Sequence, residues 1–466
     1  MVLTDTLHKR MVVFIVSLAL FMDGIDATII NTAIPAVSHS LQVHPVDLKI
    51  ALISYLITLA VFIPISGWIG DKYGVKRVFM AAIAIFTLSS LWCGYAHSLL
   101  ELVLARSAQG LGGALMLPLG RLIILRNFER HELVKAMNHV IMVVSIALML
   151  GPLAGGFITD RFSWHWIFWV NIPVGLFTIG IGAYYLQPIL PQKVRPFDSV
   201  GFILFGGGLS ALTFSLSDLS ESSTNQQNVF FIMGLGIVML IAYFIYSRRQ
   251  RHPILNTELF RIRTFRISIL GNLLSRLSFG GMPFLMPLLL QVALGYSAEL
   301  SGLLLVPLAF GVLIVKAITL PIFRYFGFRQ LLIWNTLLVG FSLWAFMMIG
   351  EGTTLYVIAI LTFIFGFLIS MQYSVLNSIA YADLTSDDLS SAASIMSTVQ
   401  QLSQSVGVAT AALLLRFCSL LSGNPILLTP VIFHQTFFVM GLFTFIPILI
   451  FIHLKAEDGH QLLKGR

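Results

Sequence analysis

Long apolar runs, separated by short polar and charged segments, fill almost the whole chain. A transmembrane helix needs about 20 consecutive apolar residues, and the chain offers fourteen runs of that kind. They lie at 11–36, 48–69, 78–96, 99–125, 134–158, 164–187, 199–217, 229–247, 266–294, 300–322, 330–349, 355–381, 390–415 and 433–454. This pattern predicts an all-α membrane protein with fourteen transmembrane helices.

The composition agrees with a chain that crosses the membrane many times. Of the 466 residues, 57% are hydrophobic and 10% are charged, whereas soluble proteins carry about 25% charged residues. The mean hydropathy is +0.91. The first apolar run begins at Met11, is too long for a signal peptide and lacks a small-residue cleavage site. We therefore expect it to be retained as the first transmembrane helix.

Basic residues are distributed unevenly among the loops. If the N-terminus is cytoplasmic, 21 Lys and Arg residues fall in cytoplasmic segments, and only Lys49, Arg161 and Arg416 fall in external ones. Positive charge marks the cytoplasmic side of membrane proteins, so this bias predicts that both termini are cytoplasmic. It also accounts for the net charge of +8 without a nucleic-acid partner.

The loops suggest an internal repeat. The glycine-containing basic loop 67–77 has a weaker copy at 321–329, in which Arg324 occupies the position of Asp71. The arginine-rich segment 248–266 precedes the second set of runs. We therefore predict six helices in residues 1–196, two inserted helices in 197–252 and six helices in 253–466. Paired six-helix halves are typical of transporters that bind substrate near the middle of the membrane.

Several motifs carry a resemblance to a known family. The loop Gly67-Trp-Ile-Gly-Asp71-Lys-Tyr-Gly74-Val-Lys-Arg77 resembles the loop between the second and third helices of the major facilitator superfamily. Segment 23–35 resembles the first-helix signature of its drug:proton antiporters with fourteen spans. Segments 102–112, 151–156 and 163–175 resemble the fourth-, fifth- and sixth-helix motifs of that group. The likeness covers most of the chain and is greatest to multidrug-resistance-type exporters of Gram-negative bacteria.

This resemblance implies a proton-coupled exporter of small amphipathic molecules that works by alternating access in the bacterial inner membrane. The chain departs from the family at Ala147 and Asn138, where the fifth-helix motif usually has glycine; only its GP-x-x-GG part is intact. That part is associated with antiport in the family. Proton-coupled uptake by symport, and a receptor or scaffold that has lost transport, therefore remain as alternatives.

The first run contains two candidate proton-binding residues. Asp23 and Asp26 lie at i and i+3 and share one helix face. A carboxylate is costly in the hydrocarbon region, so each must face water or a cation. Proton binding is the functional interpretation, and a structural pair with Arg106 or with another helix is the alternative. The resemblance gives Arg106 a role in proton transfer.

Other polar residues inside apolar runs are candidates for substrate contact. Arg276 and Lys316 have no acidic residue in their own runs, so we expect them to receive an anionic group of the substrate. Snorkelling is the alternative, especially for Lys316, and it is the expected behaviour of Arg121. Neutral groups that could either contact substrate or form interhelical hydrogen bonds are Asn31, Gln109, Gln291, Tyr373 and Asn377.

Glycines and charges in two motifs are candidates for conformational roles. In the loop 67–77 they are Gly67, Asp71, Gly74 and Arg77; in the fifth run they are Gly151, Pro152, Gly155 and Gly156. We expect the second group to allow a kink and close helix packing.

The sequence contains neither a phosphate-binding loop nor a catalytic constellation, so we do not expect an enzyme. The two cysteines, Cys93 and Cys418, build neither a metal site nor a disulfide framework. We expect no cofactor and no metal. The expected partners are a small-molecule substrate, protons and the lipid bilayer, and we expect the chain to be monomeric.

Overall fold

The structure, a computed structural model, describes residues 2–188, 196–219, 226–250, 253–385, 388–422, 428–455 and 457–459. Helices make up the secondary structure of these ranges, and no strand occurs in them. Within these ranges, fourteen helical spans are long and apolar enough to cross a membrane. The prediction of an all-α protein with fourteen spans is therefore confirmed.

The helices of the first half of the chain follow the order of the predicted runs. Their bounds are α1 Val2–Leu41, α2 Lys49–Tyr73, α3 Val75–Gly94, α4 Leu99–Asn127, α5 Arg130–Arg161, α6 Trp166–Trp169, α7 Asn171–Tyr185, α8 Ser199–Asp218 and α9 Gln226–Ser247.

The second half begins with the short 3₁₀ helix Thr257–Arg261. The α-helices that follow are α10 Arg263–Phe279, α11 Met282–Leu288, α12 Ala298–Phe326, α13 Phe328–Ala345, α14 Leu355–Ala380, α15 Leu389–Leu421, α16 Pro430–Thr444 and α17 Ile448–Phe451.

Three predicted runs are interrupted rather than continuous. The run 266–294 divides after Phe279, resumes at Met282 and ends in the π-helical turn Leu289–Ala293. The run 433–454 divides after Thr444, and Pro447 directly precedes α17. Proline has no N–H to donate to the preceding turn, which explains why the breaks fall beside prolines. The run 164–187 divides at Val170 into α6 and α7.

The chain forms two compact units. The first contains the residues up to Phe197 together with Ser297–Gly302; the second contains Asp198–Tyr296 and the chain from Leu303 onward. Helices α8 and α9, the predicted insertion, pack against each other in the second unit, and α8 also contacts α15.

In the first unit, α1 is held tightly against α5. A Cβ at Gly155 would lie 2.3 Å from the carbonyl oxygen of Ile29, and one at Gly151 would overlap Thr28. Helices α3 and α4 approach as closely, because a Cβ at Gly112 would lie 2.8 Å from the carbonyl oxygen of Ala82. Small residues allow such backbone contact in membranes. The close approach of these helices brings the polar side chains of α1, α3 and α4 within hydrogen-bonding distance.

In the second unit, a glycine likewise allows close helix contact with α10. A Cβ at Gly407 of α15 would lie 2.3 Å from the carbonyl oxygen of Arg276. Gly366 of α14 leaves the same kind of space for the carbonyl oxygen of Leu308 on α12. These contacts hold α15 against α10 and α14 against α12.

Candidate functional site

Asp26 lies at the centre of a polar cluster in the first unit. Its side chain is fully buried. One carboxylate oxygen, Oδ1, accepts hydrogen bonds from Gln109 Nε2 at 2.8 Å and Asn171 Nδ2 at 3.0 Å. The other, Oδ2, accepts from the guanidinium of Arg106. The carboxylate of α1 is therefore held by side chains from α4 and α7.

Arg106 is enclosed to a similar degree. Its side chain is 1% exposed, and its guanidinium carbon lies 4.2 Å from the centre of the Tyr55 ring. Breaking a buried ion pair leaves an uncompensated charge, which costs about 3–5 kcal/mol. The geometry thus places Asp26 in the structural pair with Arg106 that the sequence offered as an alternative to proton binding.

Gln109 belongs to the same cluster. Its amide Nε2 also donates to Ser90 Oγ at 2.8 Å, and its Oε1 accepts from Arg106. Asp26, Arg106, Gln109, Asn171 and Ser90 together form what we call the ion-pair network. Because Gln109 is fully buried within it, the structure favours interhelical hydrogen bonding over substrate contact for this residue. The sequence motifs included Asn171 but did not indicate its contact with Asp26.

Asp23 has a different environment, although it lies one turn from Asp26 on α1. It is half-buried, and its Oδ1 accepts a hydrogen bond from the Tyr55 hydroxyl at 2.5 Å. Helix α4 leaves room for the carboxylate at Gly113, where a Cβ would lie 2.7 Å from Asp23 Oδ1. The two carboxylates therefore differ: Asp26 is enclosed by an arginine and amides, whereas Asp23 is partly open.

In the second unit, Arg276 lies on a polar surface built by α10, α14 and α15. Its guanidinium carbon lies 3.9 Å from the centre of the Tyr373 ring. Its Nη1 donates to Gln404 Oε1 at 2.9 Å, and Gln404 Nε2 donates to the carbonyl oxygen of Gly280. Within the described part of the chain, no carboxylate lies within ion-pair distance of Arg276.

The polar surface around Arg276 continues one turn further along α14. Asn377 Oδ1 accepts from Gln400 Nε2 at 2.8 Å. Gln400 and Gln404 are four residues apart on α15, so they share one face. Sequence reasoning missed both, although their i, i+4 spacing in an apolar run was the available signal. The structure brings Arg276, Tyr373 and Asn377 to one surface.

The second unit also contains a neutral counterpart of the ion-pair network. Gln372 of α14 is fully buried; it accepts from Asn335 Nδ2 at 2.8 Å and donates to Thr336 Oγ1 at 3.0 Å. Asn335 and Thr336 lie on α13. The first unit therefore buries an Asp–Arg pair between α1 and α4, whereas this cluster between α13 and α14 of the second unit consists of uncharged groups.

The remaining substrate candidates are dispersed. Lys316 is exposed on α12, a position that suits snorkelling. Asn31 is 7% exposed on α1, and Gln291 is half-buried in the π-helical turn. Arg121 is exposed on α4, as snorkelling requires.

The loop between α2 and α3 is held by charge and by one glycine. Gly74 has a φ of +92°, a conformation that favours glycine. Asp71 pairs with Arg126 of α4 at 3.3 Å. Arg77 is exposed, and Gly67 lies inside α2, where a Cβ would meet nothing within 4 Å. Within the same segment, a Cβ at Gly70 would lie 2.5 Å from Leu119 Cδ2 of α4.

The end of α5 that carries the GP-x-x-GG motif contacts the first turn of α12, which belongs to the same unit. A Cβ at Gly156 would lie 2.2 Å from the carbonyl oxygen of Ala298. The Asp160 carboxylate accepts from the backbone N–H of Glu299 at 2.6 Å and from that of Ala298 at 3.3 Å. Pro152 contributes its carbonyl oxygen, which accepts from Thr32 Oγ1 at 3.2 Å. This end of α5 therefore caps and packs the start of α12.

Both cysteines are free and buried. Cys93 lies near the end of α3, and Cys418 lies within α15, which continues to Leu421.

Comparison with known proteins identifies the family of this chain. The sequence model of the Major Facilitator Superfamily matches residues 16–408. Relatives in Escherichia coli K12 and in Shigella boydii serotype 18, both named MdtD and provisionally designated multidrug resistance proteins, are 35% identical over 458 residues. The match covers 97% of this chain and 96% of each relative.

Solved structures support the same fold. A peptide transporter, POT, crystallised with sulfate, has a TM-score of 0.72 at 14% identity, covering 98% of this chain and 96% of that one. A bacterial homologue of the human lysosomal transporter Spinster has a TM-score of 0.68 at 13% identity, covering 98% and 99%. With the family match extending over most of its length, the chain is a multi-pass membrane protein and belongs to the major facilitator superfamily of transporters.

Proposed function

We propose that this protein is a secondary exporter that moves small amphipathic molecules out of the cytoplasm in exchange for protons. It would work by alternating access in the bacterial inner membrane, as a monomer, with both termini cytoplasmic. The relatives' designation as multidrug resistance proteins supports export. The observation that carries proton coupling is the pair of carboxylates on α1, Asp23 and Asp26, beside the buried Arg106.

The two carboxylates have different roles in this proposal. Asp26 is ion-paired with Arg106 and accepts hydrogen bonds from two amide groups. Asp23 is half-buried and has a single hydroxyl donor. A carboxylate in the membrane that lacks a cation is the kind of group that exchanges protons. Of the two candidates that the sequence offered, these surroundings favour Asp23 as the coupling residue.

The substrate site is proposed to include Arg276, with an anionic or zwitterionic substrate preferred. A partly buried arginine without a carboxylate partner gains free energy from a bound anion. The Tyr373 ring and the amide of Gln404 hold the guanidinium in place, and Asn377 lies on the same surface. Lys316 would contribute through long-range attraction at most.

The proposal is tested with the purified protein in proteoliposomes under an imposed pH gradient. Matched lipophilic anions and cations are screened for movement against the proton flow. Asp23→Asn is expected to abolish gradient-driven transport. Glu351→Gln, which removes an exposed loop carboxylate, serves as the control and should transport normally. Normal gradient-driven transport by Asp23→Asn would disprove this coupling assignment.

Uptake by symport is a second candidate because the fifth-helix motif is incomplete. Ala147 occupies a motif glycine position and packs against Gly24 of α1. The same proteoliposomes distinguish the two functions. An exporter moves substrate opposite to the proton flow, whereas a symporter accumulates it on the side that protons enter.

A further inference from the structure

We propose that Tyr55 is the positioning residue that transmits the protonation of Asp23 to the Asp26–Arg106 ion pair. This inference rests on the proposed proton coupling and adds the residue through which the two carboxylates communicate. Neither the sequence motifs nor the family resemblance singled out Tyr55.

Tyr55 touches both partners with different parts of one rigid side chain. It lies on α2 and is 2% exposed. Its hydroxyl donates to Asp23 Oδ1 at 2.5 Å. The face of its ring lies 4.2 Å from the guanidinium carbon of Arg106, within the range of a cation–π contact. Because the ring is planar and rigid, a displacement of the hydroxyl also displaces the face that covers Arg106.

The hydrogen bond depends on the charge of Asp23. A neutral donor binds a carboxylate more strongly than a protonated carboxyl group. When a proton from the aqueous side adds to Asp23, an O–H bond forms and no covalent bond breaks. The Tyr55 hydroxyl then loses its anionic acceptor. The side chain of Tyr55 is then less firmly held over Arg106, so the surroundings of the ion pair change.

The other groups around Asp23 leave the contact with Tyr55 as the link between Asp23 and the ion pair. From α1 the nearby charge is Asp26, and from α4 it is Arg106. Helix α5 faces this turn of α1 with the apolar Val144 and Ala147, which lie against Gly24. Helix α7 contributes the neutral Asn171, which contacts Asp26.

Gly113 keeps the contact in its present geometry. A Cβ there would lie 2.7 Å from Asp23 Oδ1 and 3.1 Å from the Tyr55 hydroxyl oxygen. Alanine at this position would therefore displace the carboxylate or the hydroxyl. Gly113→Ala thus perturbs the same contact from a different helix.

The test is a pH titration of the purified full-length protein in lipid, followed by infrared difference spectroscopy. We expect a protonated-carboxyl band that Asp23→Asn removes. Without the hydroxyl donor, the ionised form of Asp23 loses a stabilising bond. In Tyr55→Phe the midpoint of this band should therefore move to higher pH by about one unit. Gly113→Ala should move it in the same direction.

Two matched variants control for the loss of a buried hydroxyl and for the added methyl group. Tyr243→Phe removes a buried tyrosine hydroxyl in the other unit, where it bonds the backbone of Leu255. Gly180→Ala adds a methyl group where nothing lies within 4 Å. Both should titrate as the wild type does.

The effect of Asp23 protonation on Arg106 is followed by a separate infrared band. Wild type should show a shift of an arginine band, absent in Arg106→Lys, at the pH where Asp23 becomes protonated. Tyr55→Leu, which lacks the ring, should lose that shift, whereas Tyr55→Phe should retain part of it. An unchanged Asp23 midpoint in both Tyr55→Phe and Gly113→Ala overturns the proposal, as does an arginine shift that persists in Tyr55→Leu. Absence of transport by the wild type would contradict the proposed function alone, because these titrations need neither substrate nor gradient.

Discussion

The guanidinium carbon of Arg276 lies 3.9 Å from the centre of the Tyr373 ring, and the hydrogen bond that Arg276 donates to Gln404 Oε1 fixes its orientation. An arginine stacked on an aromatic ring keeps its charge. Stacking covers the face of the guanidinium and leaves the N–H groups in its plane able to donate. This geometry presents a cation on the polar surface of the second unit.

Arg276→Gln is therefore expected to weaken the binding of a transported anion about tenfold or more. Binding of a matched cation should be unchanged or stronger. Dissociation constants are measured by microscale thermophoresis with the purified protein. Arg266→Gln, which removes an exposed arginine of the same helix, is the control. Equal anion affinity in Arg276→Gln and in wild type would remove Arg276 from the substrate site.

Asp26→Asn should destabilise the protein, because Arg106 would remain buried without its counter-ion. The expected cost is about 3–5 kcal/mol. The double variant Asp26→Asn with Arg106→Gln should recover much of this loss, since both charges are then gone. Thermal unfolding in detergent reports the effect. If the single variant is as stable as the wild type, the ion pair is not the stabilising element of the network.

Gly155→Ala should separate α1 from α5. The added Cβ would lie 2.3 Å from the carbonyl oxygen of Ile29, an atom that cannot move without its helix. Overpacking of this kind costs about 1–3 kcal/mol. Gly180→Ala, in open space on α7, should leave the unfolding temperature unchanged. An equal effect of both substitutions would indicate that helix propensity, and not close packing, sets the result.

Asp160→Ala should weaken the start of α12. The carboxylate accepts two backbone N–H groups of the first turn, at Ala298 and Glu299, and loss of such a cap costs about 0.5–2 kcal/mol. Arg161→Gln breaks only the exposed ion pair with Glu299, which is worth about 0–1 kcal/mol. Hydrogen exchange of the amides at 298–302 should rise more in Asp160→Ala. Equal exchange in the two variants would refute the cap.

Both termini are expected on the cytoplasmic side. Cysteine introduced at Gln42, an exposed loop position between α1 and α2, should react with a membrane-impermeant maleimide added to intact cells. Cysteine at Lys455 should react only after the cells are opened. Equal labelling at both positions in intact cells would contradict this topology.

The sequence alone was sufficient for the membrane class, the fourteen spans and the family resemblance. Each of these depends on a local pattern of residues. The length of an apolar run predicts a transmembrane span, and a short motif is recognised by the spacing of its residues within one helix. The sequence also located Asp26, Arg106 and Arg276, since a charge inside an apolar run is visible without coordinates.

Only the tertiary structure decided which of these charges meet. Asp26 and Arg106 are 80 positions apart, and their pairing depends on how α1 and α4 are rotated about their axes. That rotation is set by close contacts at residues such as Gly112 and Gly155, whose partners lie on other helices. The same packing placed Tyr55 between Asp23 and Arg106 and placed Gln404 beside Arg276. A pattern of apolar positions does not specify these contacts, because in lipid every apolar face of a helix is equally well solvated and the choice of partner falls to packing and hydrogen bonds.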